Sequence, residues 1–451
     1  MQTQRDHVHA HQFMMGRLSS ALVQGDPTSA EIPGRRAQTG LIVGIILAVL
    51  AAGGFAVYGW IVPGGSKAFQ RAGVILVEKE TGNRYVYLNG VLHPTPDLTS
   101  AMLIQGTAAK VKLISRNSLR DVPRGPALGI AHAPQAVSPE SLVHGPWLVC
   151  LPGSVIDEPG TSLGVTLDPG TTATPLPADR FSVVSTSMGT PYLLAHGRKY
   201  RIDDDVVLVA LGAANVRLVP APQTWLDWLP DGEVLAPAKI DGAGDPGPPI
   251  GGAAHPVGTL FRQRPGSGDE QLFVLRKDGL APLDRTEFLL ADARDKGVPV
   301  ELEAAGVVEA PKSADRSLTS RLPDLTGLRH LDVGDAVLCL RQQPVSANAF
   351  ASAVAFVPRA QSGVDSVGRT SVLTKPGAGM AVVALPQESQ TVPQVSFISD
   401  RGTAFTLADT QTVAALKLDK VRPTPFPKSL LAALPQGPAL SRAAVTGLAG
   451  G

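Results

Sequence analysis

With 40 basic and 39 acidic side chains among 451 residues, the chain carries a net charge of only +1. This balance argues against a nucleic-acid-binding surface, which requires a basic patch. The chain contains 47 glycines and 39 prolines, whereas aromatic residues make up only 5%. This composition predicts turns, short strands and long connections rather than a helical bundle, and the length suffices for two or three domains.

Residues 1–40 are predicted to form a cytoplasmic segment built on one amphipathic helix from Arg5 to Gln24. The sequence Gly25-Asp26-Pro27 ends this helix. Its apolar face is expected to dock on a cytosolic partner or on the inner face of a membrane. The apolar side chains near that face are Val8, Met15, Leu18 and Leu22.

Residues 41–62 read LIVGIILAVLAAGGFAVYGWIV and contain no charged side chain. At ~1.5 Å per residue they form a helix of about 33 Å, enough to cross the ~30 Å hydrocarbon core of a bilayer. Tyr58 and Trp60 lie near its end, where amphipathic rings prefer the membrane interface. A secretory signal peptide is the alternative, but its apolar core is shorter and begins closer to the N-terminus. We therefore predict one transmembrane helix, because a buried globular helix would rarely stay uncharged over this length.

Small residues recur at every fourth position of this helix and form one stripe that winds slowly around it. They are Gly40, Gly44, Ala48, Ala52 and Ala56. Such a stripe lets the backbone of another helix approach closely, which predicts an intramembrane partner. The alternative is that Gly and Ala are simply common in membrane helices.

The orientation of the anchor is not decided by its flanking charges. Arg35 and Arg36 precede the anchor and are expected to contact lipid phosphates, but Lys67 and Arg71 follow it closely. We favour a cytoplasmic N-terminus because the two cysteines on the C-terminal side fit an oxidising compartment.

The two cysteines, Cys150 and Cys339, lie in similar apolar, strand-like runs. Neither has a C-x-x-C partner or a nearby His, so a zinc site is not indicated. A disulfide fits if this part of the chain lies outside the cytoplasm. The alternative is a pair of buried free thiols.

A weak internal repeat occurs four times and consists of a strand, a turn with Gly, a second strand, an Asp and a short apolar helix. We predict that the Gly permits a positive φ in the turn and that the Asp caps the helix. In the first copy an inserted hairpin precedes the Asp. The turn glycines are Gly82, Gly197, Gly279 and Gly402, and the acidic residues are Asp97, Asp203 to Asp205, Asp284 and Asp409. The copies are placed at residues 63–117, 189–230, 257–300 and 393–422.

One such unit is too small to fold alone, so the four copies need a common support. Residues 118–188 and 301–392 are predicted to supply it as a central β domain that contains both cysteines. A Gly- and Pro-rich linker at 231–256 separates the halves, and residues 423–451 form a C-terminal tail. The predicted fold is a single-pass membrane protein with an α+β, β-rich, elongated ectodomain.

The sequence contains no motif for catalysis. It has no Gly-Lys pair and hence no P-loop, no H-E-x-x-H and no G-x-S-x-G. Asp203 to Asp205 suggest a metal site, but their place at a helix start favours capping. Asp332 and Asp335 suggest a carboxylate pair for glycoside cleavage, although an acid-rich chain offers many such pairs. We predict no catalytic residue, no metal site and no cofactor.

Several ordered segments resemble the EccB family of type VII (ESX) secretion in actinobacteria, including mycobacteria, across nearly the whole chain. They comprise the start Arg5-Asp6-His7-Val8, the anchor, Thr81-Gly82-Asn83-Arg84-Tyr85 with Leu92-His93-Pro94, Pro123-Arg124-Gly125 leading to Trp147 and Cys150, and Leu434-Pro435-Gln436-Gly437-Pro438-Ala439-Leu440.

The resemblance implies a single-pass subunit of the inner (cytoplasmic) membrane core that exports small helical proteins. The implied partners are the EccC ATPase, EccD, EccE, the mycosin protease, other EccB copies and the lipid bilayer. The large domain would lie on the periplasmic side, with four repeats around a central domain and a disulfide that would be Cys150–Cys339. ATP hydrolysis has been proposed for the family, and the absent P-loop gives that proposal no support.

Three functions are compatible with these features. The first is a structural subunit that braces the export complex and contacts other copies outside the membrane. The second is an ectodomain enzyme, either an ATPase or a cell-wall hydrolase. The third is a signalling receptor, which the short N-terminal segment supports least because it contains no catalytic or DNA-binding module. We favour the structural subunit.

Overall fold

The computed structural model describes residues 4–25, 35–61, 70–152, 163–167, 170, 172–266, 268–295, 297–332, 334–364, 370–386 and 393–446. The chain divides into two compact units. The first comprises Met1–Gln70, Val77–Gly82 and Lys112–Val122, and the second comprises Arg71–Leu76, Asn83–Val111 and Pro123–Gly451.

Short strands outnumber helices throughout the described residues. The helices are α1 (Gln4–Gln24), α2 (Arg35–Ile61), α3 (Leu98–Gln105), α4 (Val206–Ala210), α5 (Gln223–Leu226), α6 (Arg285–Asp295), α7 (Ala304–Glu309), α8 (Thr410–Ala415), α9 (Lys428–Ala433) and α10 (Arg442–Thr446). The strands of the first half are β1 (Val74–Glu78), β2 (Arg84–Leu88), β3 (Val91–Thr95), β4 (Lys110–Ile114), β5 (Trp147–Cys150), β6 (Gly164–Thr166), β7 (Thr174–Pro175), β8 (Arg180–Ser185), β9 (Pro191–Ala195), β10 (Arg198–Arg201) and β11 (Val219–Pro220). Those of the second half are β12 (Leu260–Gln263), β13 (Gln271–Arg276), β14 (Gly279–Leu283), β15 (Val300–Glu301), β16 (Arg329–His330), β17 (Ala336–Ser346), β18 (Ala349–Pro358), β19 (Ser371–Leu373), β20 (Met380–Leu385), β21 (Val395–Ile398), β22 (Ala404–Thr406) and β23 (Thr424–Pro427).

The first unit contains α1 and α2, two helices that are separated by residues 25–34. Helix α2 covers the predicted anchor and begins six residues before it, whereas Val62, the last residue of the prediction, lies outside the described residues. In the same unit the buried Glu78 accepts hydrogen bonds from Thr81 Oγ1 (2.7 Å) and Arg116 Nε (2.6 Å).

Each of the four predicted repeats forms one sheet with the same strand order. The orders are β3-β2-β1-β4, β10-β9-β8-β11, β14-β13-β12-β15 and β22-β21-β20-β23. In the last three sheets, the strand that comes first in the chain pairs antiparallel with the second strand of its copy. The same strand pairs parallel with the fourth strand of its copy. A short helix (α3, α4, α6 or α8) connects the third strand to the fourth, as a parallel connection requires. The mixed α/β, sheet-dominated fold class is therefore confirmed.

The sheets extend beyond the predicted segments. Strands β8 and β20 lie in the segments assigned to the central domain, yet they pair with repeat strands. In the segment predicted as a linker, residues 231–256, the described residues form turns and isolated bridges without a helix or strand. Its Leu235 and Ile250 are nonetheless buried in the cores of neighbouring repeats.

The predicted alignment of the first copy was wrong. The turn that corresponds to His196-Gly197 is Asn89-Gly90, and all four of these residues have a positive φ between 49° and 86°. Such a two-residue turn matches the right-handed twist of the strands it joins. Gly82 precedes β2 and lies outside this turn. The hairpin predicted as an insertion in the first copy is the β2–β3 hairpin, which corresponds to the β9–β10 hairpin of the second copy.

Each third strand is covered at its outer edge by a short segment that the repeat analysis missed. In each segment the carbonyl of a Pro accepts a hydrogen bond from a backbone N–H of the third strand at 2.7–3.0 Å. The backbone N–H of the second residue after that Pro donates to the carbonyl of the same strand residue at 2.8–3.0 Å. The four segments begin with Pro123-Arg124-Gly125, Pro230-Asp231-Gly232, Pro311-Lys312-Ser313 and Pro435-Gln436-Gly437. They occupy backbone groups that an open sheet edge would offer to another chain.

Glycine is required in three of these segments by an aromatic or imidazole ring on the covered strand. A Cβ on Gly232 would lie 2.1 Å from Cε1 of Tyr200, and a Cβ on Gly437 would lie 2.3 Å from Cε1 of Phe405. In the third copy Ser313 replaces the glycine, and the strand residue at the equivalent position is the small Ala281.

The repeats pack in pairs that are not neighbours along the chain. Helix α3 of the first copy contacts α8 of the fourth, and one apolar core contains Leu103 and Leu416. Helix α4 of the second copy contacts α6 of the third, where Val207 and Leu290 share a core.

A six-stranded sheet with the order β19-β6-β5-β17-β18-β7 lies between the second and fourth copies in the apolar core. Strand β5 pairs antiparallel with β17, so that Cys150 lies directly opposite Cys339. The two cysteines are fully buried and form a disulfide with a Cα–Cα distance of 3.9 Å.

Candidate functional site

Within the described residues, one helix is long and apolar enough to cross a membrane. The segment Ala37–Trp60 contains 24 residues, none of which is buried within the structure. At ~1.5 Å per residue its length is about 36 Å, which exceeds the ~30 Å hydrocarbon core of a bilayer. Tyr58 and Trp60 are exposed at its end, and the side chains of Arg35 and Arg36 lie outside the described residues.

The predicted stripe of small residues is exposed along α2. Gly40 and Gly44 have no atom within 4 Å of the position that a Cβ would occupy. Ala48, Ala52 and Ala56 follow at four-residue spacing, each about 40° further around the helix. An intramembrane partner at this stripe stays a prediction.

Carboxylates at three helix starts act as caps, as the sequence predicts. Asp97 and Asp409 each accept a hydrogen bond at 2.6 Å from the backbone N–H three residues later, and Asp284 accepts one at 2.7 Å. In the second copy Asp204 accepts from the N–H of Val206 at 3.0 Å, whereas the Asp205 side chain makes no capping bond. In the described part of the chain no three His, Cys, Asp or Glu side chains are grouped to hold a metal ion.

The caps differ in their electrostatic environment. Burial raises the pKa of Asp97 above its usual value of 3.8, against the hydrogen bonds from Ser100. Burial likewise raises the pKa of Asp284. Asp409 is exposed, and the backbone hydrogen bond from Thr412 lowers its pKa. The pKa values at equivalent positions of the repeat are therefore shifted in opposite directions.

We expect Asp97→Asn and Asp409→Asn to change the pH dependence of stability in opposite directions. Asp409 has a lowered pKa in the folded protein, so it stabilises the folded state above pH 3.8, and this contribution is lost as the pH falls through its folded pKa. Asp97 has a raised pKa in the folded protein, so it stabilises the folded state below pH 3.8, and this contribution is lost as the pH rises through its folded pKa. Urea unfolding of each variant and of the wild type at several acidic pH values measures the free energy of unfolding. The difference between wild type and variant should change with pH in opposite directions for Asp97→Asn and Asp409→Asn, and a change in the same direction would contradict this interpretation.

One of the two carboxylates considered for glycoside cleavage, Asp332, takes part in a local backbone hydrogen bond. Oδ1 of Asp332 accepts from the N–H of Gly334 at 3.0 Å in a local turn. A cleft of about 560 Å³ lies between the first and fourth copies, and its lining includes Asp97, His132, Asp400 and Arg401. Asp97 caps α3 there, and Oδ2 of Asp400 accepts from the N–H of Gly377 at 2.8 Å. Both carboxylates of the cleft thus bind backbone donors.

Sequence reasoning missed a buried ion pair on α6. Glu287 is 1% exposed, and both of its carboxylate oxygens accept from Arg321, whose Nη2 lies 2.8 Å from Oε2. Arg321 also donates to the carbonyl of Ala236 at 2.7 Å. The two charged residues are 34 positions apart, so local sequence patterns contain no signal for the pair.

An exposed apolar helix of membrane-spanning length, followed by sheet repeats whose carboxylates cap helices, defines a membrane-anchored repeat protein. A family model described as "Type VII secretion system ESX-1, transport TM domain B" matches residues 1–448, and the chain belongs to this family, EccB. The resemblance found in the sequence is thereby confirmed.

Two relatives match along most of their length. The chain is 26% identical over 476 residues to "ESX-5 secretion system ATPase EccB5" of Mycobacterium tuberculosis, covering 97% of this chain and 92% of that protein. It is 28% identical over 469 residues to "ESX-3 secretion system ATPase EccB3" of Mycolicibacterium smegmatis, covering 97% and 89%.

Solved structures share the fold. A chain of the periplasmic assembly from the ESX-5 inner membrane complex matches with a TM-score of 0.62 at 25% identity, covering 86% of this chain and 97% of that one. The EccB3 dimer from the ESX-3 core complex matches with a TM-score of 0.58 at 25% identity, covering 82% and 99%. A chain of an intact ESX-5 inner membrane complex, at 24% identity, matches with a TM-score of 0.60, covering 99% and 95%.

Proposed function

We propose that this chain is a structural subunit of a type VII secretion complex in the inner membrane. The family match over residues 1–448 carries this proposal. The candidate anchor helix and the fold shared with EccB chains of ESX-5 and ESX-3 complexes support it. The sheet-rich unit would brace the complex and contact other copies.

The finer assignments follow from the same family. The partners would be the EccC ATPase, EccD, EccE, the mycosin protease and further copies of this chain. The N-terminus would be cytoplasmic and the sheet-rich unit periplasmic. The disulfide between Cys150 and Cys339 supports this orientation, because such bonds persist in oxidising compartments.

The stripe on α2 would contact another transmembrane helix of the complex. We expect Gly44→Leu combined with Ala48→Leu to reduce the large assembly roughly ten-fold, because bulky side chains prevent close helix packing worth ~1–2 kcal/mol. Gly53→Leu is the matched control, since Gly53 lies off the stripe on the same helix.

The measurement is extraction of the tagged full-length protein from its native host in mild detergent. A native gel then gives the size of the complex, and mass spectrometry identifies its companions. A megadalton-scale species containing the ATPase and a polytopic subunit supports the structural role. A small species without companions would refute it, and an unchanged complex size in the double variant would refute the role of the stripe.

An ectodomain enzyme remains the second candidate because relatives bear the name ATPase. That activity requires turnover that survives rigorous purification and is abolished by mutation of one carboxylate. Asp400→Asn and Asp97→Asn test the cleft between the first and fourth copies. A trace activity that follows no residue would exclude this function.

A further inference from the structure

The fourth strand of the first copy, β4, lies at an edge of its sheet and has exposed apolar side chains. Val111 and Leu113 are 56% and 60% exposed, and residues two apart on a strand lie on the same face. In the other copies the apolar side chains of the fourth strand are half-buried in β11 and β15 and buried in β23. The first copy therefore presents an apolar surface that its counterparts lack.

Hydrogen bonds join the end of β4 to the turn that follows β1. The backbone N–H of Lys79 donates to the carbonyl of Ile114 at 2.9 Å. Nε of Arg116 donates to the buried Glu78 at 2.6 Å, and the backbone N–H of Arg116 donates to Glu80 at 3.0 Å. The exposed side chain of Lys79 thus lies beside the last residues of β4.

The first copy is the basic part of a nearly neutral chain. Residues 70–125 contain eight basic and four acidic side chains, whereas the whole chain has a net charge of +1, so the remainder is net negative. Two of the acidic side chains, Glu80 and Asp121, are exposed, against six of the basic ones. The exposed basic residues are Arg71, Lys79, Lys110, Arg116, Arg120 and Arg124.

The end of β4 belongs to the same compact unit as the anchor helix. This unit comprises Met1–Gln70, Val77–Gly82 and Lys112–Val122. It therefore includes Lys79, Leu113 and Arg120 together with α2. Eight residues separate the end of α2 from Gln70, and at ~3.3–3.6 Å per residue they span at most about 30 Å. The surface at the end of β4 is thus tethered close to the bilayer that would hold α2.

Exposed apolar side chains beside cations suit the boundary between lipid headgroups and acyl chains. Lys and Arg attract anionic headgroups there, and an aliphatic side chain leaves water at the acyl boundary. A soluble phosphate would bind the cations but leave Leu113 in water. A second copy using the same surface would place its cations against those of the first, which repel. An anionic lipid surface satisfies both the charge and the apolar side chain.

We propose that the surface formed by Lys79, Leu113 and Arg120 binds anionic phospholipids of the bilayer that holds the anchor. The ammonium of Lys79 and the guanidinium of Arg120 bind lipid phosphates, and Leu113 enters the acyl boundary. This contact holds the end of β4 at the membrane surface. The inference rests on α2 as a membrane anchor and not on assembly with partner subunits.

The test uses the full-length protein in lipid nanodiscs made either of phosphatidylcholine alone or of phosphatidylcholine mixed with phosphatidylglycerol. A phospholipid that carries a diazirine near its headgroup labels contacting residues on illumination, and mass spectrometry quantifies the labelled peptides. The anchor peptide is the internal standard. Relative to it, the peptide containing Leu113 should be labelled about five- to ten-fold more in discs with phosphatidylglycerol.

Substitutions of the cations separate lipid recognition from mere proximity to the bilayer. Lys79→Gln and Arg120→Gln should each lower labelling of the Leu113 peptide about five-fold in discs with phosphatidylglycerol and leave it unchanged in phosphatidylcholine. Lys239→Gln is the matched control, because it removes an exposed cation outside the first copy. Circular dichroism verifies that each variant is folded.

The other outcomes of this experiment would overturn the proposal. Equal labelling in the two kinds of disc would do so, as would unchanged labelling in the Lys79→Gln/Arg120→Gln double variant. Labelling that disappears when two copies occupy one disc would assign the surface to a second copy. An unlabelled anchor peptide would show that α2 does not enter the bilayer, which is a failure distinct from loss of the contact at Leu113.

Discussion

Replacing both cysteines by alanine is expected to lower the free energy of unfolding of the sheet-rich unit by about 5 kcal/mol. Cys150 and Cys339 are 189 residues apart, so their bond closes a long loop in the unfolded chain. In the chain-entropy account a loop of this length removes much of the freedom of the unfolded state. Urea unfolding of the full-length protein in detergent, followed by tryptophan fluorescence, measures the difference.

A reductant provides the matched control for this prediction. It should destabilise the wild type to a similar extent and leave the Cys150→Ala/Cys339→Ala variant unaffected. A double variant as stable as the oxidised wild type would show that the register between β5 and β17 and the surrounding apolar core suffice without the bond.

Arg321→Leu is expected to cost about 2–3 kcal/mol, because it leaves the carboxylate of Glu287 buried without its partner. Removal of one member of a fully buried pair costs ~3–5 kcal/mol. Arg321 is 34% exposed in its side chain, so water compensates part of the loss. The substitution also removes the hydrogen bond to the carbonyl of Ala236. Denaturant unfolding of the full-length protein measures this effect.

A double-mutant cycle separates the pair from its surroundings. Glu287→Gln and Arg321→Leu together should cost less than the sum of the two single changes, because the second change removes the uncompensated charge. Additive losses would show that the two side chains act independently. Arg316→Leu is the matched control, since Nη1 of Arg316 donates to the carbonyl of Ser313 rather than to a buried carboxylate.

Local chemistry explains what could be predicted about the site. An uncharged stretch as long as α2 has few stable environments other than a bilayer, so composition and length suffice to predict an anchor. The caps at Asp97, Asp284 and Asp409 could be predicted because each Asp directly precedes a helix. The first backbone N–H groups of a helix have no partner within the helix, and a nearby carboxylate accepts from them.

Contacts between distant residues explain what could not be predicted. The ion pair of Glu287 and Arg321, and the surface formed by Lys79, Leu113 and Arg120, each bring together separated segments. Three of the four edge-covering segments share the sequence Pro-x-Gly, which could have marked them as related. The strands that they cover lie about 30 residues earlier in the chain, so this motif does not show where the segments bind.

The sequence by itself determined the anchor, the helix caps, the repeated architecture and the family of this protein, because each depends on local periodicity or on ordered motifs. Only the tertiary structure decided that the first copy packs with the fourth and the second with the third. It also decided that Cys150 faces Cys339 across two adjacent strands. The physical reason is that non-local packing depends on complementary shapes of apolar faces, which hydrophobic pattern alone does not encode.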